Sequence, residues 1–170
     1  MGIANQVKHA IIRLHSLRIK TMLHEKAPEF TLEATTGQNI TLSSLAGSYV
    51  VLVFYPANDS PGCNKQLSEF SINTNALLET DARVFGVNTA PANKSRTYCT
   101  RQRLEFPILS DPGGSTAKKY KAFLGWLPFI KRTVVVIDPA GNICFYERGT
   151  PAPENVISCI KQSKFGQTSN

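Results

Sequence analysis

The segment Phe54-Tyr55-Pro56-Ala57-Asn58-Asp59-Ser60-Pro61-Gly62-Cys63 holds the most promising chemistry in this chain of 170 residues. A cysteine stands where an apolar run has ended and a helix is expected to begin. Free helix N–H groups and the helix dipole favour an anion at such a place. The thiolate is the nucleophilic form of cysteine. Ser60 lies three residues earlier, so its hydroxyl can line the same pocket. Pro56 and Pro61 stiffen the loop and remove two N–H groups that would otherwise need partners. A lone cysteine after a strand is as readily an inert packing residue; the spacing of proline, hydroxyl and cysteine singles this one out.

The elements that position this loop can be read from patterning. The apolar run 49–55 reads as a fully buried strand. A helix is expected over 63–78, where Leu67, Phe70, Leu77 and Leu78 recur at helical spacing. Thr74 is polar in that phase and Ile72 falls off it. Before the strand, Phe30-Thr31-Leu32 and Ile40-Thr41-Leu42 flank a Thr36-Gly37 turn and predict a small β-hairpin. After it come an expected strand at 84–87 and a helix over 95–104 capped by Asn93 or Ser95. A short extended segment at 106–109 precedes a helix over 115–123. Asp111-Pro112-Gly113-Gly114 lacks the Gly-Lys-Ser/Thr ending of a phosphate loop and reads as a turn. Strands at 134–137 and 143–146 flank the turn 138–142, and a helix over 153–164 starts on Pro153. The whole predicts an α/β layer fold.

Composition is that of one globular domain, expected over 22–165, with 42% hydrophobic and 18% charged residues. The formal net charge is +7. Residues 1–24 carry Lys8, Arg13, Arg18 and Lys20 with no acid, and so supply +4 of it. The basic charge therefore belongs mainly to an N-terminal extension, 1–21, and argues only weakly for nucleic-acid binding by the domain. Ile3, Val7, Ile11 and Leu14 recur there at helical spacing, as in a helix packing on its own domain, a frayed tail, or a membrane-surface or partner helix. Gln6 breaks the myristoylation pattern. A polar tail is expected at 166–170. The segment shows no uninterrupted apolar core of a secretory signal, so a reducing, cytoplasmic compartment is expected. The four cysteines, Cys63, Cys99, Cys144 and Cys159, form no C-x-x-C pair, and all three histidines precede residue 25, which argues against structural zinc.

Pro56-x-x-x-Ser60-x-x-Cys63 resembles the Pro-x-x-x-Thr/Ser-x-x-Cys signature of peroxiredoxins. The chain is most similar to their bacterioferritin comigratory protein, or peroxiredoxin Q, branch. Supporting segments are Ala27-Pro28-Glu29-Phe30-Thr31-Leu32, Phe106-Pro107-Ile108-Leu109-Ser110-Asp111, Arg132-Thr133-Val134-Val135-Val136-Ile137-Asp138 and Arg148-Gly149-Thr150-Pro151. They run in order across about residues 24–162. The resemblance implies a thioredoxin-like fold and a thiol-dependent peroxidase, with Cys63 as the residue oxidised to a sulfenic acid. It implies that Ser60 and Arg132 hold the peroxide, although a strand-end arginine is by itself an ordinary surface residue. A thioredoxin-type dithiol is the implied reductant, and no metal, haem or flavin is implied. A monomer or weak dimer is expected.

The chain departs from that branch at Ser68, where a resolving cysteine often stands. Three residues after Cys63 the relatives carry glutamate or glutamine; Gln66 fits the second and is expected to accept a hydrogen bond from Arg132, without the charge of a carboxylate. Cys99 is the replacement candidate for resolution, since some family members resemble this arrangement. Arg96, Arg101 and Arg103 flank it in sequence and are expected to favour its thiolate. Cys144 and Cys159 read as packing residues. Phe123, Trp126, Leu127 and Phe129 read as core or pocket wall, or alternatively as a hydrophobic rim for organic hydroperoxides or a reductase contact. The competing readings are a one-cysteine peroxidase, a thiol–disulfide oxidoreductase (which would want cysteine at Gln66), and a non-enzymatic membrane- or nucleic-acid-binding adaptor acting through residues 1–21.

Overall fold

The computed structural model describes residues 22–124 and 129–167. The expected N-terminal helix, Trp126 and Leu127 lie outside the described residues. Seven strands form one sheet: β1 (Thr31–Ala34), β2 (Asn39–Thr41), β3 (Tyr49–Phe54), β4 (Ala82–Asn88), β5 (Ile108–Ser110), β6 (Thr133–Ile137) and β7 (Ile143–Arg148). Their order across the sheet is β2-β1-β5-β4-β3-β6-β7. β4 runs parallel to both β3 and β5, while β6 runs antiparallel to β3 and β7 to β6. β1 and β2 make the expected hairpin, with Leu32 opposite Ile40.

Every residue of β3 is buried because both faces of the sheet are covered. Tyr49, Val51 and Val53 point to one face, where they meet Leu67, Phe70, Leu77, Val156 and Ile160 from the helices. Val50, Leu52 and Phe54 point to the other, toward Phe30, Leu45, Ala117 and Tyr120. This thioredoxin-like layering fixes the end of β3, and hence the Pro56 loop, against the start of a helix.

The helices are α1 (Pro61–Ile72), α2 (Thr74–Leu78), α3 (Ala92–Gln102), α4 (Ser115–Lys119) and α5 (Pro153–Gln167). The single helix expected over 63–78 is therefore two. Asn73 Nδ2 donates to the Glu69 carbonyl at 2.9 Å and Thr74 Oγ1 to that of Phe70 at 3.2 Å. Both side chains compete for the carbonyls the helix ladder uses. The break leaves Ile72 82% and Leu78 57% exposed, so Leu78 does not join the core face.

α3 begins three residues before the expected position. Pro91, in extended backbone, precedes its first residue and its carbonyl accepts the Ser95 N–H at 3.1 Å. Neither Asn93 nor Ser95 caps it. α3 ends at Arg103, which takes a left-handed φ of 53°. The N–H of Leu104 then returns to the Cys99 carbonyl at 3.1 Å and that of Arg103 to Thr100 at 3.3 Å, a Schellman closure. α4 stops at Lys119 rather than 123 by the same device, with Lys121 at φ 54° and Ala122 N–H on the Ala117 carbonyl at 2.8 Å. Asp111 holds the start of α4, accepting from the N–H groups of Thr116 (3.1 Å) and Ala117 (2.8 Å). α5 runs two residues into the expected polar tail. No helix among the described residues is long and apolar enough to cross a membrane.

Candidate active site

Cys63 is the third residue of α1, after Pro61 and Gly62, and its side chain is fully buried. Pro61 suits the first turn because the N–H it lacks has no helical partner there. Ser60 precedes the helix in extended conformation, and its hydroxyl makes no capping hydrogen bond. The Ser60 carbonyl instead accepts the Asn64 N–H at 2.8 Å, which closes the first turn over Cys63. The loop from Pro56 to Ser60, which leads into this helix, is partly exposed.

Arg132 immediately precedes Thr133, which faces Phe54 in the β3–β6 ladder. The ladder thus brings Arg132 to the sheet end from which the Pro56 loop departs. Its Nη2 donates to Cys63 Sγ at 3.5 Å. A guanidinium in this position stabilises a thiolate and can donate to an oxygen approaching the sulfur. Cys63 and Arg132 are therefore brought together, with Ser60 as the residue before the helix that carries Cys63.

Gln66 does not play its expected part. It is 1% exposed, and its Nε2 donates to the Gly149 carbonyl at 3.4 Å rather than its Oε1 accepting from Arg132. Gln66 Oε1 and Arg132 Nε are both buried and make no hydrogen bond. The tie to Arg132 runs through the backbone: Gly149 N–H donates to the Arg132 carbonyl at 2.8 Å. Gly149 thus links α1 to the strand end that carries the arginine.

Residues not assigned from sequence hold the loop. Asn88, at the end of β4, is 1% exposed. Its Nδ2 donates to Tyr55 Oη at 2.8 Å and to Asn58 Oδ1 at 2.7 Å, and its Oδ1 accepts the Ala90 N–H at 3.1 Å. Tyr55 Oη donates to Asn58 Oδ1 at 2.8 Å, and Asn58 Nδ2 reaches Ser95 Oγ at 3.3 Å. Burial, followed by the nearby Tyr98 and cysteine charges, pushes the Tyr55 hydroxyl well above its ordinary range and keeps it a donor. Asp59 pairs with Arg101, and Tyr98 Oη donates to Asn64 Oδ1 at 2.7 Å. Both contacts join α3 to the Cys63 loop and helix. Gly62 was also missed: an added Cβ would lie 2.7 Å from Arg132 Nη2.

Cys99 lies in α3 beside this network, close enough for its charge to act on Tyr55 and Tyr98, but the hydrogen bond of its thiol runs elsewhere. Sγ donates to Thr35 Oγ1 at 3.9 Å, at the end of the hairpin. The flanking arginines do not favour its thiolate as expected. Arg96 Nε is committed to the Thr35 carbonyl at 2.8 Å and Arg101 to Asp59. Burial pushes the Cys99 thiol up, offset in part by Thr35 and the Ile108 backbone. Cys144 and Cys159 are half-buried rather than enclosed in the core, and they touch each other. Among the described residues no cluster of three or more His, Cys, Asp or Glu could hold a metal ion.

Residues 23–146 match the model of the AhpC/TSA family. A Mycobacterium tuberculosis relative carrying the peroxiredoxin name is 35% identical over 138 residues, 78% of this chain and 88% of its own. The chloroplastic peroxiredoxin Q of Triticum aestivum is 32% identical over 133 residues; the match covers 76% of this chain and 60% of that protein's length. Among solved structures, peroxidoxin BcpB of Mycobacterium tuberculosis superposes with a TM-score of 0.77 at 27% identity, covering 83% of this chain and 97% of its own. Two Xanthomonas campestris peroxiredoxin Q structures, each a cysteine-to-serine mutant, superpose at 0.73 with 20% identity, over 79% of this chain and 90–91% of theirs. A further Xanthomonas campestris structure, at 0.72, 20% identity and the same coverage, concerns alkyl peroxide reduction by its bacterioferritin comigratory protein. With a family match over most of the described domain and relatives above 30% identity, the chain belongs to the AhpC/TSA family and is a peroxiredoxin, a thiol-dependent peroxidase.

Proposed function

We propose that this peroxiredoxin reduces hydrogen peroxide and organic hydroperoxides by a two-cysteine cycle. The observation that carries it is the 3.5 Å contact from Arg132 Nη2 to Cys63 Sγ at the start of α1. The Cys63 thiolate attacks one peroxide oxygen; an S–O bond forms as the O–O bond breaks. The departing oxygen takes a proton and leaves as water or alcohol, and Cys63 becomes a sulfenic acid. Ser60 Oγ, the Cys63 N–H and the Arg132 guanidinium would hold the two oxygens while charge develops between them. Alkyl peroxides enter this reading through the Xanthomonas campestris protein named above.

Cys99 is the proposed resolving residue. It would displace water from the Cys63 sulfenic acid to form a disulfide, which a thioredoxin-type dithiol would then reduce. The positions mutated in the two Xanthomonas campestris structures are 36 residues apart, as are Cys63 and Cys99. On this reading α3 opens locally and Cys99 leaves Thr35 for the two sulfurs to meet. That same contact favours a second reading, in which an external thiol resolves Cys63 alone. Four free thiols suit a reducing compartment such as the cytoplasm.

The test has two arms. Cys63→Ser should abolish peroxide reduction with the fold intact, because an alcohol is a poor nucleophile at neutral pH. Retained turnover would refute the central role of Cys63. Peptide mapping of the parent after one equivalent of peroxide should find Cys63 joined to Cys99. An unpaired Cys63 would establish the one-cysteine reading instead.

A further inference from the structure

The two cysteines outside this cycle, Cys144 and Cys159, are brought together by an irregularity in the sheet. Val136 pairs with Phe145 and Ile137 with Ile143, so β7 carries one residue more than β6 across this step. The extra residue is Cys144. Strand alternation would send Cys144 and Phe145 to opposite faces, but the bulge turns both to the face covered by the helices. Ile143 and Tyr146, on either side, both pack on the opposite face. Bulges at sheet edges re-aim side chains in this way, and β7 is an edge strand.

α5 lies over that spot. Val156 and Ile160 are fully buried and fix its rotation, which turns Cys159 toward β7. Cys159 Sγ donates to the Cys144 carbonyl at 3.6 Å, and Cys144 Sγ to the Val136 carbonyl at 3.5 Å. Both thiols are half-buried and so reachable by small molecules. When Cys159 ionises it accepts from the Cys144 S–H. That bond lowers Cys159 to about 7, and it raises Cys144 together with burial. One thiolate with a thiol against it is the arrangement a dithiol redox pair needs.

We infer that Cys144 and Cys159 are a second redox-active dithiol, which peroxide oxidises to an intramolecular disulfide joining the C-terminal helix to the edge strand. The Cys159 thiolate attacks peroxide: an S–O bond forms, the O–O bond breaks, and the leaving oxygen takes a proton as water or alcohol. The Cys144 sulfur then attacks the Cys159 sulfenic acid; the S–S bond forms and water leaves with the Cys144 proton. Two thiols supply the two electrons that reduce one peroxide. Among the described residues, the hydrogen bonds these thiols donate run to the backbone carbonyls of Val136 and Cys144, whereas Cys63 has the Arg132 guanidinium against it. Oxidation here is therefore slower than at Cys63 and proceeds when peroxide is in excess. The inference does not depend on which thiol resolves Cys63.

The experiment uses the full chain and its Cys63→Ser variant, each treated with excess hydroperoxide, blocked with N-ethylmaleimide and digested without reduction. The expected result is a peptide pair joined through Cys144 and Cys159 in both proteins, appearing in the parent only after Cys63 has been oxidised. Two outcomes would overturn the inference: both cysteines alkylated in full after peroxide, or a link found only between molecules. A link that forms in the parent but not in Cys63→Ser would overturn direct attack by Cys159. Cys159→Ser should leave Cys144 open to alkylation after peroxide and keep turnover at low peroxide within twofold of the parent.

Discussion

Gly62→Ala isolates the contribution of Arg132 without touching either catalytic group. An added Cβ would lie 2.7 Å from Arg132 Nη2 and 3.3 Å from Cζ. An ordinary contact between such atoms is about 3.5 Å or more, so the guanidinium must retreat by roughly 0.8 Å. The arginine tip is the flexible partner, and it moves rather than the helix. Its hydrogen bond to Cys63 Sγ already spans 3.5 Å, so that retreat breaks it. A hydrogen bond to a charged group is worth about 1.5–3 kcal/mol, which corresponds to roughly 10- to 100-fold in the rate of Cys63 oxidation. The fold should not suffer, because alanine is favoured over glycine in a helix by up to about 1 kcal/mol. Rapid-quench alkylation followed by mass spectrometry measures Cys63 oxidation directly, and thermal unfolding measures stability. Arg132→Lys should itself oxidise slowly, since an ammonium cannot reproduce the planar fork. Adding Gly62→Ala to it should change little, because no guanidinium is left to displace. Oxidation of Gly62→Ala within about threefold of the parent, or equal losses from Gly62→Ala in both backgrounds, would refute the assignment of Arg132.

Two further outcomes test the network around the loop. Asn88→Ala should lower stability by about 2–3 kcal/mol, because it strips partners from Tyr55 Oη, Asn58 Oδ1 and the Ala90 N–H in a buried setting. For a domain of this size that is a fall of about 5–10 °C in Tm, and an unchanged Tm would show the network to be dispensable. Tyr98→Phe removes the bond to Asn64 Oδ1, worth about 1 kcal/mol, and should populate the open form of α3 about fivefold more. If Cys99 must leave Thr35 to reach Cys63, this variant should over-oxidise to sulfinic acid less per turnover, read by mass spectrometry; unchanged or greater over-oxidation would contradict that requirement.

The backbone of this site was legible in the sequence to an unusual depth, and the reason is local. A seven-residue apolar run rich in valine and aromatics reads as a strand covered on both faces, and the pattern predicts a helix from Cys63; the helix starts two residues earlier, on Pro61, where the missing N–H does no harm. Nucleophile, hydroxyl and loop prolines lie within eight residues, so one turn of chain decides their relation. Element ends were less legible for a physical reason. Arg103 and Lys121 close helices in left-handed conformation without a glycine to announce it, and Asn73 and Thr74 break a helix through side-chain bonds that their identity permits but does not require.

The failures inside the site all concern where a side chain goes after the backbone is placed. Arginines three residues before and two after Cys99 are its neighbours in sequence, yet each finds its own partner: Arg96 takes the Thr35 carbonyl on the side of α3 that Cys99 shares, and Arg101 takes Asp59. The thiol they were expected to activate is left to burial and Thr35. Conversely, the groups that do organise Cys63 come from far along the chain: Arg132 is 69 residues away, and Asn88 is 30 from Asn58. Cys144 and Cys159 make the same point for a pair. Alternation along a strand assigns each residue a face, but it does so only while the register holds. One extra residue in β7 was enough to turn a cysteine that read as packing toward another thiol. Charge and nucleophile patterns in a sequence therefore identify reactive groups reliably where one turn of chain contains them. Elsewhere the sheet register and helix rotation decide which of those groups meet.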